Sequence, residues 1–413
     1  MDPAKRTVVV LSVIVFFVMT GIAMITPAIA DYAAFLGADP FLAGLLVGAL
    51  PAARVILDLP AGALGDRHGN VTMMKYGLAI IVVSSAIAAA AINYPMLLAM
   101  RFLEGVGGAF YVTSSLAALA RAAPPEKRGR YMGIYVNMLL VGQTFGPVIG
   151  GAVTVWSGSL RAPFASYALS AAVSLVLVHT MLDLPDAGGD GRVDWSAAKR
   201  LVRDRHFLTV NFGVLSVFLV RGGIITTVLP FLTQMNWGLD LEGSAAMTGI
   251  LITTMAAASM LTMYPSGLVA DRYGRKWSFV SALFLGALVL PFIHGTRDLA
   301  SAVPVMVLVG LMFGLAGPMA SWATDLAPPE NMGVAMGVYR TIGDLGFLLG
   351  PVMMGALIQT TSVGGEVSQI PFLFGSAWLL VGGLLLLTAR DPSGERARAR
   401  ARSAAAMDPP RVL

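Results

Sequence analysis

Long apolar runs alternate with short polar segments along nearly the whole chain. Each run has about 18 to 26 residues, enough for a helix to cross a hydrocarbon layer of roughly 30 Å. The pattern predicts an all-α integral membrane protein with twelve transmembrane helices, over residues 8–30, 41–64, 72–93, 96–120, 131–156, 161–182, 207–234, 244–266, 277–296, 302–324, 333–358 and 371–389. The first run also has features of a secretory signal, but it is longer than a typical signal core.

An internal repeat predicts how the twelve helices are organised. The stretch PPEKRGRYMGIY (124–135) returns as PPENMGVAMGVY (328–339), and Asp66 and Asp271 mark two similar charged turns at nearly the same offset. Because the PPE stretches and the charged turns recur at nearly the same spacing, the chain is expected to contain two copies of one structural repeat. We therefore predict two pseudo-symmetric six-helix bundles, 1–182 and 207–389, joined by a cytoplasmic linker, 183–206, with a short surface helix over 195–203, and followed by a basic cytoplasmic tail, 390–413.

The distribution of basic residues predicts the orientation. With both termini in the cytoplasm, 22 of the 28 Lys and Arg residues lie inside, whereas Arg161 and Arg297 lie outside and four lie within spans. This is the asymmetry expected of a protein of the plasma (cytoplasmic) membrane. The net charge of +5 is then a topology signal, and it gives no reason to expect a nucleic-acid partner.

The charged turns carry a family resemblance. GALGDRHGN (62–70) and GLVADRYGRK (267–276) both contain G-x-x-x-D-R-x-G, which, between two six-helix halves, resembles the major facilitator superfamily of secondary transporters. The matching residues are Gly62, Asp66, Arg67 and Gly69 in the first copy and Gly267, Asp271, Arg272, Gly274, Arg275 and Lys276 in the second. Asn70 departs from the usual basic residue. Each Asp is expected to pair with an Arg of its own turn and with a helix N-terminus of the other half, which would hold one face closed.

The fifth predicted helix contains a second motif. GQTFGPVIGG (142–151) resembles the pattern of proton-coupled drug-efflux antiporters within this superfamily, through Gly142, Gly146, Pro147, Gly150 and Gly151. Glycines four residues apart line one helix face and permit close helix packing. The alternative interpretation is close packing without any bearing on the direction of transport.

Ionisable residues inside spans are costly, which makes them functional candidates. Seven qualify: Arg54, Asp58, Arg101, Glu104, Arg221, Arg340 and Asp344. Each acid has an Arg three or four residues away, and Asp344 and Glu104 are the first candidates for proton coupling because of their depth in the span, followed by Asp58. RFLEGVGGA (101–109) also resembles a family pattern in which the Arg is linked to proton coupling. Alternatively, Arg54 with Asp58, and Arg340 with Asp344, form static intrahelical pairs. Asp31 is predicted to lie at a solvated helix end.

These features favour a transporter over an enzyme. The chain has no cysteine and no nucleotide-binding loop, so we expect no cofactor and a proton gradient as the energy source. The leading hypothesis is a monomeric proton-coupled antiporter that exports lipophilic or cationic small molecules, with the substrate, protons and the lipid bilayer as its partners. A transporter of a defined metabolite, such as an organic anion, a sugar or a lipid, and a non-transporting membrane receptor remain as alternatives.

Overall fold

The computed structural model describes residues 3–124, 127–182, 195–328 and 331–395, and its regular structure is helical. Eleven helices of the described residues are long and apolar enough to cross a membrane, and a shorter apolar helix, Ile370–Leu386, completes the predicted set. The protein is therefore an integral membrane protein. The twelve predicted spans each coincide with one of these helical segments.

The twelve spanning helices, α1 to α12, are defined by their bounds. In the first half they are α1 Pro3–Ile25, α2 Pro40–His68, α3 Asn70–Ala89, α4 Tyr94–Ala122, α5 Arg128–Ser157 and α6 Ala162–Met181. In the second half they are α7 Arg205–Met235, α8 Leu241–Tyr273, α9 Lys276–His294, α10 Leu299–Leu315, α11 Met332–Thr361 and α12 Ile370–Leu386. Short helices cover Ile29–Phe35, Trp195–Leu201 and Met319–Asp325.

Two spans are interrupted near proline. A turn that contains Pro27 separates α1 from the short helix Ile29–Phe35, and a turn ending at Pro318 separates α10 from Met319–Asp325. Proline has no amide hydrogen for the helix ladder, so such breaks are expected at these positions. A short helix, Trp195–Leu201, lies within the segment 195–203 for which a helix was predicted, whereas 183–194 and the arginine-rich segment 396–402 lie outside the described residues.

The two halves repeat one packing arrangement. In the first half α1 packs on α5 and α6, α3 on α4 and α6, and α2 on α4. In the second half α7 packs on α11 and α12, α9 on α10 and α12, and α8 on α10. Adding six to each helix number of the first half gives these contacts of the second, so the predicted pseudo-symmetry of the bundles is confirmed.

The halves meet mainly along two helix pairs, α2 with α11 and α5 with α8. Near the loops 37–39 and 362–369, which we call the sealed end, a methyl group built on Gly44 would lie 2.2 Å from the Pro351 carbonyl oxygen, and one on Gly355 would lie 2.3 Å from that of Pro40. The opposite end carries the turns 66–70 and 271–276, and we call it the charged-loop end. There, methyl groups built on Gly62 and Gly267 would meet nothing within 4 Å. The halves are thus in close contact at the sealed end, whereas at the charged-loop end a gap lined by residues of α5 and α8 separates these two helices.

Candidate functional site

A cavity of about 190 Å³ lies between the two halves, well over ten times the volume that one water molecule requires. Seven spanning helices contribute to its wall: α1, α2, α4 and α5 from the first half, and α7, α8 and α11 from the second. Much of the lining is apolar, with Leu50, Ile225, Ile252, Met255 and Phe347 among its residues. The charged lining residues are Arg54, Arg101, Arg221 and Asp344, which are four of the seven ionisable residues predicted inside spans.

Two ion pairs cross between the halves beside this cavity. Arg54 Nη2 on α2 lies 3.1 Å from Asp344 Oδ2 on α11, and Arg340 Nη2 on α11 lies 3.3 Å from Asp58 Oδ2 on α2. The intrahelical contact between Arg54 and Asp58 is longer, at 3.9 Å. The alternative of purely intrahelical pairs is therefore wrong, because each arginine is closest to the carboxylate of the opposite half.

These crossed pairs are poorly hydrogen-bonded. Both carboxylates are buried, with about 8% of each side chain exposed. Within the described part of the chain, neither oxygen of Asp58 accepts a hydrogen bond, nor does Oδ2 of Asp344. The contacts are therefore close charge pairs without aligned hydrogen bonds, and buried polar oxygens in this condition are costly. Such an arrangement is held together mainly by charge, so it is sensitive to neutralisation of either partner.

Arg101 and Glu104 form a separate cluster inside the first half. Glu104 is fully buried, pairs with Arg101 on its own helix and accepts a hydrogen bond of 2.7 Å from Ser85 on α3. Arg101 lines the cavity, whereas Glu104 lies behind it and is not part of the wall. The structure thus separates the two first-ranked carboxyls, since only Asp344 faces the cavity.

Arg221 occupies an unusual stretch of α7. Residues Arg221–Val228 form a π-helix, and the hydroxyl of Thr227 donates to the carbonyl of Gly222 five residues earlier. Short π-helical segments inside α-helices frequently occur at functional sites. The guanidinium carbon lies 5.7 Å from the centre of the Phe313 ring, but no described residue forms an ion pair or side-chain hydrogen bond with Arg221.

The charged turns are organised differently from the expectation. Asp66 pairs with Arg121 at the end of α4, in its own half, and not with Arg67 of its own turn. In the second copy Arg275 pairs at 3.0 Å with Asp325. Here the turn supplies the basic partner, whereas in the first copy the turn supplies the acidic one. Both turns have their second glycine at positive φ, 93° for Gly69 and 102° for Gly274, which explains why glycine is needed there.

Arg67, Asp271 and Arg272 lie at the surface or at the gap between the halves, whereas the Lys276 ammonium donates to backbone carbonyls just after α12. Arg272 lies over the ring of Tyr273, 5.5 Å from its centre, while Arg67 is exposed. Asp271 lines a gap between α5 and α8 together with Asn137 and Tyr264. Because the halves are separated at this end, Asp271 does not close the two halves together in this conformation.

The motif of α5 mediates close helix packing. Methyl groups built on Gly142 and Gly150 would approach the carbonyl oxygens of Phe16 and Met24 on α1, at 2.8 and 2.0 Å, and one on Gly146 would lie 2.4 Å from Ala23. Gly151 instead faces α8, and the carbonyl of Pro147 contacts Gly249 on that helix. The motif therefore joins α5 to α1 within the half and to α8 across the boundary.

Comparison with known proteins assigns the family. The model of the Major Facilitator Superfamily matches residues 11–351 and 238–411. The chain belongs to the major facilitator superfamily. It is 23% identical to an uncharacterised MFS-type transporter of Methanocaldococcus jannaschii (93% of this chain, 98% of the relative) and 24% identical to a multidrug resistance efflux pump homolog of Lactococcus lactis (92% and 94%).

Solved structures agree on the fold. A bacterial homolog of the human lysosomal transporter Spinster, in an inward-facing and unoccupied conformation, superposes with a TM-score of 0.73 at 17% identity and covers 98% of each chain. The protein is thus a major facilitator transporter and not an enzyme.

The environment of Asp31 differs from the prediction of a solvated helix end. Its side chain is fully buried, accepts a hydrogen bond from Gln234 and a second, of 3.0 Å, from Ser244, and thereby connects the short helix after α1 to the second half at the sealed end. Burial raises the pKa of Asp31 to about 8, although the two hydrogen bonds partly oppose this shift. The predicted solvated helix end is wrong, because residues more than 200 positions away cover it.

Sequence reasoning also missed the pairs Asp66–Arg121 and Arg275–Asp325. A signal for them was present, since Arg121 and Asp325 are separated by the same offset of 204 as the repeat. No comparable signal marked Gln234 and Ser244 as partners of Asp31. A residue whose partners lie in the other half leaves no local pattern in a single sequence.

Proposed function

We propose that the protein is a proton-coupled antiporter that exports lipophilic small molecules by alternating access, with the crossed ion pairs as its coupling element. The observation that carries this proposal is the exchange of partners between Arg54, Asp58, Arg340 and Asp344 across the two halves. In alternating access one half rocks against the other around a central site. Any such motion must change the distances within these pairs.

Antiport requires that the unloaded carrier does not change conformation, because a free return would dissipate the gradient. In the unloaded protein the attraction of two guanidinium groups to two buried carboxylates in the crossed pairs would hold the halves in one conformation. We call this attraction the lock. A proton on Asp344 or Asp58 removes one charge of a pair and weakens the lock. A substrate in the cavity that competes for Arg54 or Asp344 has the same effect.

Burial favours proton uptake when a pair is broken. A carboxylate that loses its guanidinium partner while it remains out of water is an uncompensated buried charge, and the neutral acid is then preferred. Asp344 is the main candidate because it lines the cavity, while Asp58 lies nearer the charged-loop end. Glu104, which is hydrogen-bonded within one half, is assigned a structural role.

The direction of export rests on orientation. With the basic loops and both termini in the cytoplasm, as the positive-inside rule requires, the separated charged-loop end faces the cytoplasm and the sealed end faces outward. The substrate would enter from the cytoplasm and leave after the sealed end opens. The similarity to the multidrug efflux pump homolog of Lactococcus lactis supports this direction.

Proton movement in liposomes tests the proposal. The protein is reconstituted with a pH-sensing dye inside, and a panel of lipophilic anions, cations and neutral compounds is added under a proton gradient. We expect substrate-dependent proton movement in the wild type and none in Asp344→Asn. We also expect Asp344→Asn to retain downhill substrate flux, since its lock is weakened.

The control is Glu366→Gln, which removes the exposed loop pair with Arg297 and should preserve coupling. Equal proton movement in wild type and Asp344→Asn would contradict the proposal, as would wild-type transport of any of these compounds without a proton.

A further inference from the structure

The charges of the central cavity do not balance. Three guanidinium groups line its wall, on Arg54, Arg101 and Arg221, against the single carboxylate of Asp344. Asp344 pairs with Arg54, and Glu104, from behind the wall, pairs with Arg101. Arg221 lies near the ring of Phe313 and near Tyr339, but no carboxylate among the described residues forms an ion pair with it. The cavity therefore carries one positive charge that no described carboxylate compensates.

A guanidinium group buried in this way is costly unless an anion accompanies it. Arginine presents a planar fork of donors that matches the geometry of a carboxylate or another oxyanion. Thr226 on the same helix and Gln143 on α5 line the cavity as well and add neutral hydrogen-bonding groups. An anion at Arg221 would thus find both a charge partner and polar neighbours.

The π-helix fixes where Arg221 stands. Its glycines, Gly222 and Gly223, lie against α11, because methyl groups built there would approach Phe347 at 2.8 Å and Met354 at 2.5 Å. This close contact holds the backbone of the segment on α11 while Arg221 borders the cavity. The backbone that carries Arg221 is therefore positioned by packing that a substitution of the Arg221 side chain leaves in place.

We propose that Arg221 binds the anionic group of the substrate, and that the substrate class is lipophilic organic acids. The apolar wall formed by Leu50, Ile252, Met255 and Phe347 receives the hydrophobic body, while the acid group lies against the guanidinium. This assignment selects an anion over the cationic compounds expected from the sequence. Movement of the acid across the membrane rests on the proposed transport function. Binding of the acid at Arg221 does not, because binding can be measured without transport.

An anionic substrate would also weaken the crossed ion pairs. An organic acid held at Arg221 shares the cavity with Arg54, so its negative charge competes with Asp344 for that guanidinium and loosens a crossed pair. For exchange of one proton, export of a monovalent anion moves two positive charges inward per cycle, whereas export of a monovalent cation is electroneutral. Membrane potential should therefore accelerate transport of the acid and leave that of a cation unchanged.

Binding of a matched series of probes tests the proposal. The purified full-length protein is titrated with 1-naphthoate, 1-naphthamide and 1-naphthylmethylammonium, which share a ring system and differ in charge. We expect 1-naphthoate to bind most tightly to the wild type. Arg221→Gln should weaken 1-naphthoate binding about 10- to 100-fold, the usual effect of a lost charged hydrogen bond, with little effect on 1-naphthamide.

Two further variants keep the result interpretable. Arg221→Lys retains the charge and should preserve the preference for 1-naphthoate, and Arg297→Gln, at an exposed loop, should bind all three probes as the wild type does. Tightest binding of 1-naphthylmethylammonium, an unchanged 1-naphthoate affinity in Arg221→Gln or an equal loss in Arg297→Gln would overturn the inference. If proton coupling fails while 1-naphthoate binding still depends on Arg221, the antiport proposal falls and this one stands.

Discussion

At the scale of single residues, Arg54 contacts two carboxylates, that of Asp58 on its own helix and that of Asp344 on α11. The spacing of four residues between Arg54 and Asp58 predicts neighbours on one helix face. That neighbour relation exists, at 3.9 Å, but the closer contacts run to α11. Sequence spacing reports only what lies along one helix, so the exchange of partners depended on knowing that α2 and α11 pack together. The same limit explains why Asp344 and Glu104 looked equivalent.

A substitution separates these two carboxyls. Glu104→Gln leaves Arg101 without its buried counter-charge, and breaking a buried ion pair from one side typically costs about 3 kcal/mol or more. We therefore expect a clearly lower Tm in detergent for Glu104→Gln, while substrate-driven proton movement persists in the protein that remains folded. Thermal unfolding and the liposome assay check the two parts.

The matched control for stability is Ser85→Ala, which removes one hydrogen bond to Glu104 and should lower the Tm by less. Loss of proton movement in Glu104→Gln at unchanged stability would contradict a structural role for this residue.

At the scale of elements, the apolar pattern predicted the helices well and their contacts poorly. Span length follows from local composition and the paired bundles follow from the repeat, and both were found in the structure, whereas the charged turns form ion pairs other than the expected ones. The seam between α2 and α11 was not foreseen, although it contains recognisable small residues. Gly44, Gly48 and Gly355 permit the backbones to approach at the sealed end, whereas Gly62, farther along α2, meets nothing. One helix thus carries both a closed and an open segment of the boundary.

Gly44 and Gly62 on α2 form a matched pair for mutation. Gly44→Val places a side chain against the Pro351 carbonyl, and overpacking of this kind costs about 1–3 kcal/mol. We expect the conformational equilibrium to move about 5- to 150-fold towards opening of the sealed end. Gly62→Val should leave the sealed end closed.

Thiol accessibility measures this shift directly, because the chain has no natural cysteine and a cysteine introduced near the sealed end is the sole thiol. Equal labelling of such a cysteine in both valine variants would show that the seam does not control this end.

At the scale of the whole molecule, two similar bundles enclose a cavity and touch closely at one end. The pseudo-symmetry came from the repeat, and it correctly implied equivalent packing in each half. The cavity's charge did not follow from it, since the pairs in the turns have opposite polarity in the two copies and Arg221 has no acidic partner among the described residues. The functional asymmetry therefore lies in the side chains, on a backbone arrangement that is repeated.

The central claim is that the crossed ion pairs lock the unloaded carrier in the observed conformation. Spin labels on His68→Cys and Tyr273→Cys, two exposed positions at the charged-loop end, report the distance between the halves by double electron–electron resonance. At one fixed pH and without substrate, we expect a single long distance in the wild type and in Glu366→Gln. Asp58→Asn combined with Asp344→Asn should add a population with a shorter distance, because the halves are released. An identical distance distribution in all three proteins would contradict the account.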